Sequence, residues 1–190
     1  MRKIGSILIF IFLTGLFSGI FFSTNLSQNA NDTLSALMLT SFSDSKAGFF
    51  KVFTSSLITN LTLFLIMAPA AFIKYLKPLP AAVLWYKSFA IGFCSGLVYI
   101  NAASQALLIS LVKILPQNLF IIPSFIIFAY TLLSHTVSRS QSSNKRSSQS
   151  FNKKSRSPFY INGAPVTLVI SAGLLIAGAL MEAIFHSVAL

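Results

Sequence analysis

Five long apolar stretches dominate this chain of 190 residues and leave it few possible folds. The first covers residues 4–22, and a helix of about 19 residues at ~1.5 Å per residue crosses a ~30 Å hydrocarbon core. The others predict helices at about 52–73, 82–101, 117–134 and 165–186. Because only 9% of the residues are charged, against about 25% in a soluble domain, we predict an all-α integral membrane protein. Residues 1–190 would form a single polytopic domain.

The first apolar stretch has a second interpretation, as a cleaved signal peptide. Met1-Arg2-Lys3 would supply the positive charge that precedes such a peptide. The stretch is longer than the ~7–15 apolar residues of a signal peptide, and no clear A-x-A cleavage site follows it. Its length therefore favours a retained helix.

Two polar segments separate the predicted helices. Residues 23–51 are rich in Ser, Thr and Asn and include Asp32 and Asp44, so we predict a soluble loop with one short helix at residues 33–40. Residues 138–157 combine six basic residues with Ser, Gln and Asn. This composition cannot bury a core, and we predict a disordered loop.

The basic residues predict an orientation. With the N-terminus inside, eleven of the 14 Lys and Arg residues lie in the cytoplasm, namely Arg2, Lys3, Lys74, Lys77, Lys87 and the six in the 138–157 loop. Lys46, Lys51 and Lys113 remain outside. The positive-inside rule then predicts a cytoplasmic N-terminus and an extracytoplasmic C-terminus in the cell membrane. The charge also predicts contact with anionic membrane lipids, and not with nucleic acid, which would require a basic folded face.

Residues 115–130, LPQNLFIIPSFIIFAY, place two prolines and a Gln-Asn pair in an otherwise apolar sequence. A broken helix leaves backbone groups that lipid cannot satisfy, so such breaks lie against protein or water and often mark a functional surface. The preceding residues 102–115 are apolar but number about 14, too few for a full span. We predict that this segment is interfacial or re-entrant.

Glu182 is the one acidic residue inside a predicted span. Burial of a lone carboxylate in the membrane costs several kcal/mol. It should lie about 6 residues, or ~9 Å, below the outer end of the last helix. Other polar or helix-breaking residues belong toward the same face, and we predict that they form with Glu182 a structural polar cluster or a partner-docking surface: Asn60, Asn101, Gln105, Lys113, Pro116, Gln117, Asn118 and Pro123. Lys113 is the predicted counter-ion of Glu182.

The sequence contains no recognisable catalytic machinery. His186 shares a helix face with Glu182 because it follows by four residues, but two ligands are too few for zinc and His135 should lie at the opposite membrane face. No G-x-S-x-G, H-E-x-x-H or Walker motif occurs, and no paired aspartates. We therefore predict no enzymatic activity, no metal, no cofactor and no small-molecule substrate.

Two glycine pairs have the GxxxG spacing that lets membrane helices approach closely, Gly15 with Gly19 and Gly92 with Gly96. Cys94 lies inside the second pair. As the one cysteine of the chain it excludes an intramolecular disulfide. We expect it to be a small packed residue.

Three segments resemble the stage II sporulation protein M family: KSFAIGFCSGL at residues 87–97, LPQNLFIIPSFI at 115–126 and LLIAGALMEAIF at 174–185. Their order and spacing match as well. The resemblance covers the chain from the second helix onward, with the first helix matching as a hydrophobic anchor. The wider family often has an acidic residue between the two prolines, where this chain has Ile121, as in the sporulation branch.

The resemblance implies an endospore-forming bacterium and a role in engulfment. In that family the protein is understood as a membrane scaffold that localises two peptidoglycan-degrading partners, stage II sporulation proteins D and P, at the septal or engulfing membrane of the mother cell. The residues themselves leave an alternative open, a transporter or permease subunit with a polar site around Glu182. Half-helices around a polar site are typical of transporters, although these five helices show no evident repeat.

Overall fold

The computed structural model describes residues 2–43, 48–101, 114–145 and 164–186, and these ranges contain helices and no strands. The α-helices are α1 (Arg2–Thr24), α2 (Gln28–Ser43), α3 (Phe49–Met67), α4 (Leu79–Asn101), α5 (Leu115–Lys145) and α6 (Ala164–His186). Two short 3₁₀ helices, Ala68–Ala71 and Lys74–Leu76, lie between α3 and α4. Every α-helix except α2 contains a segment long and apolar enough to cross a membrane. The predicted all-α membrane fold with five spans is confirmed.

Two helices extend into segments that were predicted to be loops. α2 begins at Gln28 and ends at Ser43, beyond the short helix expected at 33–40. α5 continues to Lys145, into the segment predicted to be disordered from residue 138. Once a helix has been nucleated, each further residue adds one backbone hydrogen bond at little cost. The rest of the basic loop lies outside the described residues, as does most of the segment predicted to be interfacial or re-entrant, residues 102–113.

The stretch predicted to break a helix lies within one. Residues 115–130 all belong to α5. Pro116 lies in the first turn, where its missing N–H would have no intrahelical partner. Pro123 lies inside the helix, where it removes one donor. Pro116 therefore belongs to the start of α5, and Pro123 does not divide the helix.

The glycines of α1 and α4 face each other. Each lies against the main chain or a small side chain of the partner helix: Gly15 against Trp85 and Ser88, Gly19 against Phe89 and Phe93, Gly92 against Leu16, and Gly96 against Ser23. Since successive residues of α1 meet successive residues of α4, the two helices run parallel. We call them the α1/α4 pair.

The remaining spans form a second unit, the α3/α5/α6 unit, in which α6 packs against both α3 and α5. The Ser124 hydroxyl of α5 donates to the Ser171 carbonyl of α6 at 2.7 Å, and the Thr131 hydroxyl donates to that of Thr167 at 3.1 Å. From the first of these contacts to the second, the residue number rises along α5 and falls along α6. The two helices are therefore antiparallel.

One apolar core joins the pair to the unit. The pair contributes Leu8, Val83 and Leu84, and the unit contributes Phe64, Met67, Ile121, Phe125, Ala129, Leu132 and Leu175. We call the side of the molecule that carries the α3–α4 connection the turn face, and the opposite side the α2 face. Leu8, Val83 and Leu84 belong to the parts of α1 and α4 nearer the turn face. Near the turn face, the described residues that join the α1/α4 pair to the α3/α5/α6 unit are therefore apolar.

Candidate functional site

Glu182 lies between the three helices of the α3/α5/α6 unit and is half-buried. The Ser56 hydroxyl of α3 donates a hydrogen bond to its Oε2. In the amide orientation that satisfies both groups, the Gln117 nitrogen of α5 donates to Oε2 at 2.8 Å and to Oε1 at 3.2 Å. The carboxylate thus accepts hydrogen bonds from both neighbouring helices.

Asn60 extends these contacts along α3. It is 3% exposed, and its Nδ2 donates to the Ser56 carbonyl at 2.9 Å and approaches the Ser56 hydroxyl at 3.4 Å. Its Oδ1 accepts a hydrogen bond of 2.8 Å from Lys87 Nζ of α4. The five side chains Lys87, Asn60, Ser56, Glu182 and Gln117 therefore form one continuous series of contacts, which we call the polar chain.

Lys87 is the functional candidate that sequence reasoning missed. We assigned it to the cytoplasmic basic residues, but it follows Leu79, the first residue of α4, by eight residues, or ~12 Å along the helix. Its Nζ lies 5.9 Å from the centre of the Phe125 ring, within the range of a cation–π contact. The predicted helix at 82–101 already contained Lys87, but sequence reasoning used only its charge; its place inside an apolar segment was the signal.

The polar chain runs from mid-membrane depth toward the α2 face. Asn60 lies at the centre of the span Phe49–Ala71. Glu182 lies four residues before the end of α6, and Gln117 lies two residues after the start of α5. Glu182 contacts Ser56, and Asn60 lies one helical turn deeper.

A family model matches almost the whole of the chain. The model of Stage II sporulation protein M matches residues 8–186. The chain belongs to the stage II sporulation protein M family. The match reaches into α1, which the resemblance had covered only as a hydrophobic anchor, and it makes the chain a sporulation-related membrane protein. In comparisons with curated proteins and with solved structures, nothing matches the chain.

The other predicted site residues of this family member fall into three groups. Asn118 is buried, and its amide donates to the Ile114 carbonyl at 2.8 Å, so it is used within its own helix. Pro116 is half-buried and Pro123 is exposed. Asn101 is the last residue of α4 and its side chain lies outside the described set, as do Gln105, Lys113 and the predicted pairing of Lys113 with Glu182.

The polar chain is a cluster whose members are linked by hydrogen bonds. It combines one carboxylate, one ammonium, two amides and one hydroxyl, and each of these groups has a hydrogen-bond partner within it. No group of three or more His, Cys, Asp or Glu side chains that could hold a metal occurs in the described ranges. Polar side chains between membrane helices commonly hold those helices together.

Proposed function

We propose that this member of the family is a membrane scaffold of the engulfment machinery in endospore formation. It would recruit the peptidoglycan-degrading stage II sporulation proteins D and P to the septal membrane of the mother cell. The observation that carries the proposal is α2, a helix outside the set of candidate spans. It lies beside five spans whose described polar chain is directed inward, and it presents exposed leucines, so among the described helices α2 is the one that we assign to partner contact.

The exposed surface of α2 suits protein contact. α2 packs against α4, with Ser35 buried, whereas Leu34 is 36% and Leu37 is 61% exposed. Exposed apolar side chains on a helix outside the bilayer are the kind of surface that a partner covers. The docking surface is therefore centred on Leu37.

The proposal requires α2 to face the cell wall. Lys87 lies inside α4, so leaving it out of the count lowers the cytoplasmic total from eleven to ten, against three on the other side. The positive-inside rule still favours a cytoplasmic N-terminus and an extracytoplasmic C-terminus. In that orientation the α2 face is extracytoplasmic, where peptidoglycan and its hydrolases are.

Co-purification with proteins D and P tests the proposal. Leu37→Glu should lower the recovery of both partners by about tenfold or more, because it places a charge at the centre of an apolar contact. Ala36→Glu is the matched control, since Ala36 is exposed on the same helix about 100° away. Equal recovery with wild-type and Leu37→Glu protein would reject α2 as the docking surface.

The second candidate is a transporter or permease subunit, and the polar chain favours it because polar groups reach mid-membrane depth. Two variants distinguish the scaffold from the transporter. A scaffold should lose partner recovery with Leu37→Glu and retain it with Ser56→Ala, a change inside the polar chain. A transporter should show the reverse pattern in engulfment assays, with Ser56→Ala defective and Leu37→Glu active.

A further inference from the structure

Lys87 and Glu182 carry opposite charges at membrane depth, and neither is satisfied by a direct ion pair in the described structure. Lys87 has three N–H donors, of which Asn60 accepts one. Glu182 accepts from Ser56 and Gln117, which are neutral. A charge in the membrane interior requires an opposite charge or a water-filled cavity. Each residue can supply the opposite charge that the other requires, and Asn60 and Ser56 lie between them.

We propose that Lys87 and Glu182 are mutual counter-charges and that their coupling is a latch between the α1/α4 pair and the α3/α5/α6 unit. The latch acts toward the α2 face, since the polar chain starts on α4, crosses to α3 and ends on α6 and α5. Toward the turn face, Leu8, Val83 and Leu84 join the two bodies through apolar packing. The molecule thus has an apolar joint at one face and a polar latch nearer the other.

The packing of the pair determines what happens when the latch is released. Gly92 lies against the Leu16 main chain and Gly19 against the Phe89 and Phe93 main chain, so α1 and α4 move as one body. Removal of one charge leaves the other uncompensated, which is far more costly than removal of both. The remaining charge is then hydrated, and the pair turns about the apolar joint. The face of α4 that carries Lys87 opens toward the α2 face.

Cys94 reports this opening. It follows Lys87 by seven residues, two helical turns, so it lies on the same face of α4 and nearer the α2 face. It is half-buried and is the one cysteine of the chain. No cysteine has to be introduced, and no residue of the polar chain has to be replaced to obtain a reporter.

The experiment measures the labelling rate of Cys94 in the full-length protein in proteoliposomes, with a membrane-impermeant cationic thiol reagent applied at the α2 face. Lys87→Met and Glu182→Gln should each label about tenfold or more faster than wild type. The double variant Lys87→Met/Glu182→Gln should return toward the wild-type rate, since no charge is then uncompensated. Lys51→Met and Asp32→Asn are matched controls, because both residues are exposed outside the polar chain.

Wild-type labelling of the folded single variants would overturn the latch, and a double variant as fast as the single variants would overturn the charge coupling. Acceleration in the controls would overturn both, because the effect would not be specific to the polar chain. If the single variants fail to accumulate, the yield of folded protein decides the question. Recovery in the double variant supports the coupling, and a double variant as poor as the worse single variant rejects it.

Discussion

The main-chain carbonyl of Leu16 in α1 lies against the position that a Cβ of Gly92 in α4 would occupy. Gly15, Gly19 and Gly96 make the same kind of approach along the two helices. Such contact lets helices in a membrane gain van der Waals packing that bulkier residues would prevent. The stability of the α1/α4 pair therefore depends on the absence of side chains at these positions.

Alanine at Gly92 tests this dependence. Gly92→Ala should lower the free energy of unfolding by about 1–3 kcal/mol, since the methyl group meets main chain that cannot rotate away. Gly173→Ala is the control: a Cβ there meets nothing within 4 Å, and alanine should raise stability by about 0.5–1 kcal/mol. Unfolding in mixed detergent, followed by circular dichroism, measures both. Equal effects at the two positions would contradict the close approach.

Gly178 of α6 should show an intermediate effect. A Cβ there would come within 2.5 Å of Ile121 Cγ1, the atom of a side chain and not of a main chain. Side chains can adjust, so Gly178→Ala should cost less than Gly92→Ala, about 1 kcal/mol. Ile121→Ala removes Cγ1, so Gly178→Ala should cost less in the Ile121→Ala background than beside Ile121, in the same unfolding measurement. An equal cost in both backgrounds would show that the Gln117 main-chain carbonyl limits this contact.

Replacement of Asn60 should lower the stability of the protein because it removes the described hydrogen-bond acceptor of Lys87. Asn60→Leu should lower the free energy of unfolding by about 1.5–3 kcal/mol, the usual contribution of a hydrogen bond to a charged group. Thr62→Leu is the control, since Thr62 lies on the same helix, is exposed and bonds the Ile58 carbonyl of its own helix. A near-neutral Asn60→Leu variant would show that Lys87 finds another acceptor.

The hydrogen bond between Ser124 and Ser171 should contribute modestly. Both residues are at most 1% exposed, but hydrogen bonds between membrane helices are worth about 0.6 kcal/mol on average and about 1.7 at most. Ser124→Ala should fall in that range. Thr59→Ala removes an exposed hydroxyl that donates to the Ser55 carbonyl of its own helix, and it should change stability by less. Thermal unfolding of the two variants in detergent compares them.

Phe125 is the side chain on which the apolar core and the polar chain meet. It is fully buried, its ring lies 4.8 Å from that of Phe64 in an edge-to-face arrangement, and Lys87 approaches it. Phe125→Ala should cost about 3–5 kcal/mol. Phe17→Ala, at a position 65% exposed, should be nearly neutral in the bilayer. A small loss at Phe125 would mean that neighbouring side chains fill the cavity.

The sequence by itself determined the fold class and the five spans, because about 20 apolar residues form a spanning helix whatever surrounds them. It also determined the family, through motifs that lie within the matched residues 8–186. The ends of α2 and α5 were missed for a physical reason. Polar composition indicates that a segment leaves the membrane, but it does not indicate that the segment stops being helical.

The tertiary structure decided which polar and which small residues meet. A lysine eight residues into a helix could have extended toward the headgroups or into the bundle, and the packing of α3 and α5 around Lys87 directs it to Asn60. Each glycine pair could likewise have faced lipid or any other helix, and the parallel approach of α1 and α4 brings the two pairs together. These contacts join residues far apart in sequence, so no local pattern specifies them, and they convert a set of five spans into two joined bodies.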